Sequence, residues 1–116
     1  MADLLKTKLT ETEQKAITEY LVELKQVYGD NLVNVILYGS KVRGDSVPGS
    51  DIDILVVLKN TKRTFQEIDT ITDFSADICL KYNLVIASYP VNQTKINSYY
   101  KTSFISNVLK EGILLL

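Results

Sequence analysis

Residues Leu37–Leu58 read LYGSKVRGDSVPGSDIDILVVL. The stretch opens on the end of one apolar run, NLVNVILYG, and closes on another, DIDILVVL. Between them SKVRGDSVPGS is dense in turn-forming residues, including Gly44, Pro48 and Gly49. Two runs of strand length joined in this way predict two strands of one sheet. The connection suits antiparallel pairing or a small crossover, so a mixed sheet is expected. Two carboxylates interrupt the second run. Residues two apart on a strand share a face, so Asp51 and Asp53 should project together while Ile52 and Ile54 point into the core.

Upstream, TETEQKAITEYLVELKQVYGD carries Ile17, Tyr20, Leu21, Leu24 and Val27 at helical spacing. Thr10 followed by Glu13 has the form of a capping box, and Gly29 suits a left-handed cap. Downstream, TFQEIDTITDFSADICLKY is helical through Phe65, Ile68, Ile71, Ser75, Ile78 and Tyr82. NLVIASYPV, starting at Asn83, reads as a third strand broken by Pro90. NQTKINSYYKTSFISNVLKEG reads as one or two helical pieces stopped by Gly112, with Tyr99 and Tyr100 expected as half-buried packing. The final ILLL is an edge strand or a packed tail. The expected class is α/β (α+β), a single small domain over residues 1–116 with a mixed sheet flanked by helices.

With 116 residues, 46% of them hydrophobic, the chain is long enough to bury a core. A net charge of −1 makes no electrostatic case for nucleic acid or anionic membranes. No apolar run is long enough to cross a bilayer. The start, MADLLKTKLTETEQ, lacks the basic opening and long apolar core of a signal peptide, so a cytoplasmic location is expected. Cys79 is the only cysteine, which excludes an intramolecular disulfide and a cysteine-based zinc site and leaves it a small buried hydrophobe. Histidine is absent, so Ser-His and Cys-His nucleophiles are excluded. Chemistry here must run on carboxylates, hydroxyls, Lys, Arg and metal ions.

A pair of carboxylates on one strand face is a pre-arranged oxygen site for a hard divalent cation, Mg²⁺ or Mn²⁺. The cation also removes their mutual repulsion. Taken alone, D-x-D favours a wet strand face with solvated aspartates. The preceding residues shift that balance. Gly39 lets a phosphate approach the backbone, Ser40 can donate its hydroxyl, and Arg43 can reach the same phosphate with a forked guanidinium. Neither a P-loop nor a dinucleotide fingerprint is present. Phosphate donors followed by a carboxylate pair on the next strand form a phosphoryl-transfer arrangement.

GSKVRGDSVPGSDIDILV resembles the signature of the DNA polymerase beta nucleotidyltransferase superfamily, G-S-x-x-R-G followed by S-D-[IL]-D-[IL]. It most resembles the minimal nucleotidyltransferases, small members often encoded beside HEPN-domain proteins in toxin–antitoxin pairs. The resemblance implies a polymerase-beta-like nucleotidyltransferase fold and transfer of an NMP group from an NTP to a hydroxyl of a protein or an RNA end. By that resemblance Gly39 and Ser40 bind nucleotide phosphates, and Asp51 and Asp53 are the catalytic metal ligands. Arg43 supports the phosphates or closes the turn, with an ion pair to Asp45 or Asp51 as its competing role. Ser50 belongs to the nucleotide site as a turn residue beside Asp51 rather than as a ligand. Family members carry a third carboxylate at the start of a later strand, and Asn83 is its match here. An amide ligates metal weakly and is no base at neutral pH. Two functions therefore stay open: an active nucleotidyltransferase, the antitoxin partner of a HEPN-domain protein, or a catalytically weak nucleotide-binding protein that acts by docking to one. Base preference, acceptor and homo-oligomerisation stay open as well.

Overall fold

The computed structural model describes residues 9–44, 49–61 and 63–116. Helix α1 (Glu11–Tyr28) begins at a complete capping box. The Glu13 N–H donates to Thr10 Oγ1 at 3.1 Å, and the Thr10 N–H donates to Glu13 Oε1 at 2.9 Å. Ile17, Tyr20, Leu21 and Leu24 are buried, whereas Val27 lies beyond the contact stripe and is exposed. Gly29 ends the helix with φ 52° and ψ −126°, a positive φ outside the left-handed helical well that was expected.

A 3₁₀ turn (Gly29–Asn31) leads into β1 (Leu32–Tyr38), the single turn α2 (Ser40–Arg43) and β2 (Ile52–Leu58). Then follow α3 (Thr64–Tyr82), β3 (Ile86–Asn92), α4 (Gln93–Asn97), α5 (Ser103–Glu111) and β4 (Ile113–Leu114). The sheet order is β3-β2-β1-β4. β1 pairs antiparallel with β2 and with β4, while β2 pairs parallel with β3, so the sheet is mixed. Strand alternation sorts the core into two layers. Ile52, Ile54, Val56 and Leu58 pack with the apolar stripes of α1 and α3 on one face. Leu55 and Val57 pack with Ile105 and Val108 of α5 on the other.

The third strand departs from expectation at both ends. Asn83 is not its first residue: it caps α3 in the left-handed conformation, at φ 53° and ψ 54°. Pro90 does not break it either, because β3 is an edge strand paired only with β2, where a missing N–H costs no ladder bond. The expected packing of Tyr99 and Tyr100 is also overturned. They lie between α4 and α5, almost fully exposed, and touch each other edge-on with ring centroids 5.0 Å apart. Phe65 is likewise exposed, and Cys79 is only partly buried against the core. Gly112 is demanded by space, since a Cβ there would lie 2.5 Å from both Ile36 Cγ2 and the Val108 carbonyl oxygen. Among the described residues no helix is long and apolar enough to cross a membrane.

Candidate functional site

The site grows from the point where β1 stops. Gly39 takes φ 84° and ψ −153°, a conformation reserved for glycine, and turns the chain into α2. The N–H groups of Val42 and Arg43 both donate to the Gly39 carbonyl at 3.1 Å, and left-handed Gly44 closes the turn. Gly39 is required for a second reason. A Cβ on it would collide with Asp53 Oδ2 and lie 3.3 Å from Asp53 Cγ. The backbone at the start of the turn is thus pressed against a carboxylate of the neighbouring strand.

Register explains that contact. Tyr38 pairs with Asp53 across the antiparallel ladder, and Asp53 pairs with Ala87 across the parallel one. A row Tyr38–Asp53–Ala87 therefore crosses one face of the sheet, the face that α5 covers. Asp51 precedes β2 and is exposed, while the intervening Ile52 is fully buried. Loss of water pushes the Asp53 carboxyl above the usual carboxylate range, the charge of Asp51 pushes it further, and the Arg43 guanidinium partly offsets both. Asp51, Asp53 and Arg43 are one electrostatic group.

A hollow of about 380 Å³ holds Asp53 together with Gly39, Arg43, Tyr38, Phe104 and Glu111. Arg43 Nη1 lies 3.9 Å from Glu111 Oε2, and both side chains are half exposed, so this pair is weak. Of the partners expected for Arg43, Asp45 lies outside the described residues. Glu111, Tyr38 and Phe104 were missed by motif reading. A signal for two of them existed: Phe104, Asn107, Val108 and Glu111 follow helical spacing and line this hollow from one face of α5.

Ser50 and Asn83 face elsewhere. Both line a separate cavity of about 650 Å³ with Lys41, Glu13 and Gly49. Ser50 Oγ is buried without a hydrogen-bond partner among the described residues. The structure does not bring Asn83 into the hollow of Asp53, and the strand position in register with Asp53 is Ala87. Lys41 is buried and bonded to Glu13 Oε2 of α1 at 2.7 Å. Burial works to raise the Glu13 carboxyl, but the bonds from Lys41 and from the Thr10 N–H hold it below the ordinary value. The charge of Lys41 is thereby committed to bracing α2 against α1.

The donor set suits a hard cation. Asp51 and Asp53 supply oxygens, and Asp53 carries a charge that its surroundings disfavour. Among the described residues no group of three or more carboxylate or thiol side chains is placed to hold a metal ion. Such an ion would need further oxygens from a bound phosphate.

The family described as "Polymerase beta, Nucleotidyltransferase" matches residues 15–116, which include all of these residues except Thr10 and Glu13. The chain belongs to the polymerase beta nucleotidyltransferase family. Two proteins of Methanocaldococcus jannaschii are similar to it. "Putative protein adenylyltransferase MJ0604" is 37% identical over 100 residues, 86% of this chain and 94% of that protein. A second protein of the same description, MJ0141, is 33% identical over 97 residues, 84% of this chain and 92% of its own length. A chain from a crystal structure of a toxin–antitoxin with AMP-PNP superposes with a TM-score of 0.57 at 18% identity, covering 84% of this chain and 71% of that one. This last likeness is one of fold. The small nucleotidyltransferase domain, with a mixed four-stranded sheet and five α-helices among the described residues, is the architecture expected of the family's minimal members.

Proposed function

We propose that this chain transfers an NMP group, with ATP as the donor, to a hydroxyl of a protein partner. The observation that carries this reading is the contact of the Gly39 backbone with Asp53, beside Asp51, in a hollow that also holds Arg43. On this reading the phosphate-binding turn and the Asp53 carboxylate share one space, with Asp51 exposed two residues before Asp53. Asp51 and Asp53 would hold Mg²⁺ or Mn²⁺, which supplies charge neutralisation on the phosphates and polarises the α-phosphorus. Gly39 and Ser40 would accept the phosphates at the turn, and Arg43 would add a cation at the same oxygens. The acceptor oxygen bonds to the α-phosphorus as the bond to pyrophosphate breaks. Its proton is left to water, because Ala87 stands where a carboxylate would flank Asp53 and Glu111 is turned to Arg43.

A protein acceptor is supported by the description of the two archaeal relatives, and a HEPN-domain partner by the resemblance of the GSKVRG and SDIDI motifs to minimal nucleotidyltransferases alone. The second reading, a weakly catalytic nucleotide-binding protein that acts by docking, is favoured by one observation: no third carboxylate stands in register with Asp53. Calorimetry with Mg·ATP tests the binding step. Asp51→Asn with Asp53→Asn should abolish metal-dependent affinity while the fold persists, and unchanged binding would remove the carboxylate pair from the site. Incubation with labelled ATP, Mg²⁺ and a partner protein separates the two readings by whether label is transferred.

A further inference from the structure

A second hollow, of about 480 Å³, adjoins the first on the same face of the sheet. Tyr38 and Phe104 line both. Around it stand Tyr89, Pro90, Lys95 and Thr102. Three rings meet there: the Phe104 centroid lies 5.5 Å from that of Tyr38, edge-on, and 5.2 Å from that of Tyr89. Tyr89 follows Ala87 by two positions on β3 and so stands on the face that carries Asp53. As residues, Tyr89 and Phe104 remain 44% and 40% exposed, so neither is sealed from a flat ligand.

We infer that this aromatic hollow seats the nucleobase of the NTP whose phosphates lie at Gly39 and Asp53, with Tyr89 and Phe104 as the stacking residues. The inference rests on the nucleotidyltransferase reading above, and it follows from continuity. A nucleotide bound through its phosphates in the first hollow must place its base nearby, and the adjoining wall is built of π-faces. Recognition of base edges is sparse. The Asn92 side chain, which also borders the hollow, accepts from the Thr61 N–H at 2.6 Å and donates to the Thr61 carbonyl, so its amide is oriented by that loop. Thr102 Oγ1 accepts from the Ile105 N–H at 3.2 Å as the cap of α5. A base held here is held mainly by stacking, which tolerates any base.

The test is calorimetry of the full chain with Mg·ATP, Mg·GTP and Mg·tripolyphosphate, the last having no base. The parent should bind ATP more tightly than tripolyphosphate, with ATP and GTP within about tenfold of each other. Phe104→Ala and Tyr89→Ala should each weaken ATP by about tenfold or more, and Tyr89→Ala, which lines only the second hollow, should leave tripolyphosphate within about threefold. Phe104→Leu and Tyr89→Leu keep the apolar bulk, so they carry the test if an alanine variant fails to fold. Unchanged ATP affinity in well-folded variants overturns the inference and leaves the transferase reading standing; lost transfer to a protein acceptor in those same variants would assign the hollow to that acceptor. Equal losses for ATP and tripolyphosphate in Tyr89→Ala overturn it too, because the ring would then act through the phosphate site. A preference between ATP and GTP well above tenfold overturns a stacking-only seat. A parent that binds neither ATP nor tripolyphosphate takes down both readings together.

Discussion

Gly39→Ala is the substitution whose cost is most directly set by the site. Two penalties act at once. The backbone at φ 84° and ψ −153° lies in a region that residues with a Cβ avoid, worth about 1–3 kcal/mol. The added methyl also meets the Asp53 carboxylate, with Asp53 Cβ 3.4 Å away, and the carboxylate must rotate aside at a further cost of about 1 kcal/mol. The sum is about 2–4 kcal/mol, and for a chain of 116 residues this lowers the Tm by about 8–16 °C. Urea denaturation of four proteins separates the parts: parent, Gly39→Ala, Asp53→Ala and the double variant. In the Asp53→Ala background the collision is gone and only the backbone strain remains, so a coupling of about 1 kcal/mol should appear. Where Gly39→Ala still folds, its displaced Asp53 should lower Mg·ATP affinity. A Gly39→Ala protein within about 0.5 kcal/mol of the parent would refute the close approach, and an equal cost in both backgrounds would refute the collision.

Two further predictions concern charges. Lys41→Met should cost about 3 kcal/mol near neutral pH, because Glu13 would stay buried without its cation. The Glu13 carboxyl is held below 4.5 in the fold, so the stabilisation is present above that pH and fades as pH falls through the folded value. The stability gap between parent and variant should accordingly narrow in acid, and a gap constant from about pH 3 to 7 would refute the account. Ala87→Asp should place a carboxylate beside Asp53, raising labelled-AMP transfer by about 10²–10⁴-fold and lowering the Tm only when Mg²⁺ is absent. Asn83→Asp, at the α3 cap, should change neither; the reverse pattern would return the third position to Asn83.

Much of this fold was legible because its signals are local. The Thr10–Glu13 box, the stripe Ile17–Leu24 and the span Thr64–Tyr82 each read directly from period and caps, and the strands on either side of SKVRGDSVPGS read from apolar runs. The misses share a cause. Pro90 reads as a breaker unless its strand is known to be an edge, and edge position is a property of the whole sheet. Tyr99 and Tyr100 look like packing until the chain is seen to leave helical structure between α4 and α5. The roles of Lys41 and Ser50 depend on α1 and α3 closing over the turn, contacts that no spacing rule contains.

The third strand shows how the placement of a boundary carries a chemical reading with it. Asn83 begins a run that looks extended, NLVIAS, and its amide resembles a carboxylate in shape. The helix, however, runs to Tyr82 and needs a cap, and asparagine is among the few non-glycine residues that accept the left-handed conformation required there. Capping therefore explains why an asparagine is at this position without reference to metal. Pairing then starts at Ile86, and the residue brought level with Asp53 is Ala87, which offers neither a ligand nor a base. The proposed site thus has two aspartates, a glycine turn and an arginine, and Ala87 rather than a carboxylate in register with Asp53. On the proposed function, nucleotide binding draws on the first group and proton removal on the second, so that reading predicts slow transfer in the parent protein and a gain from one correctly placed carboxylate.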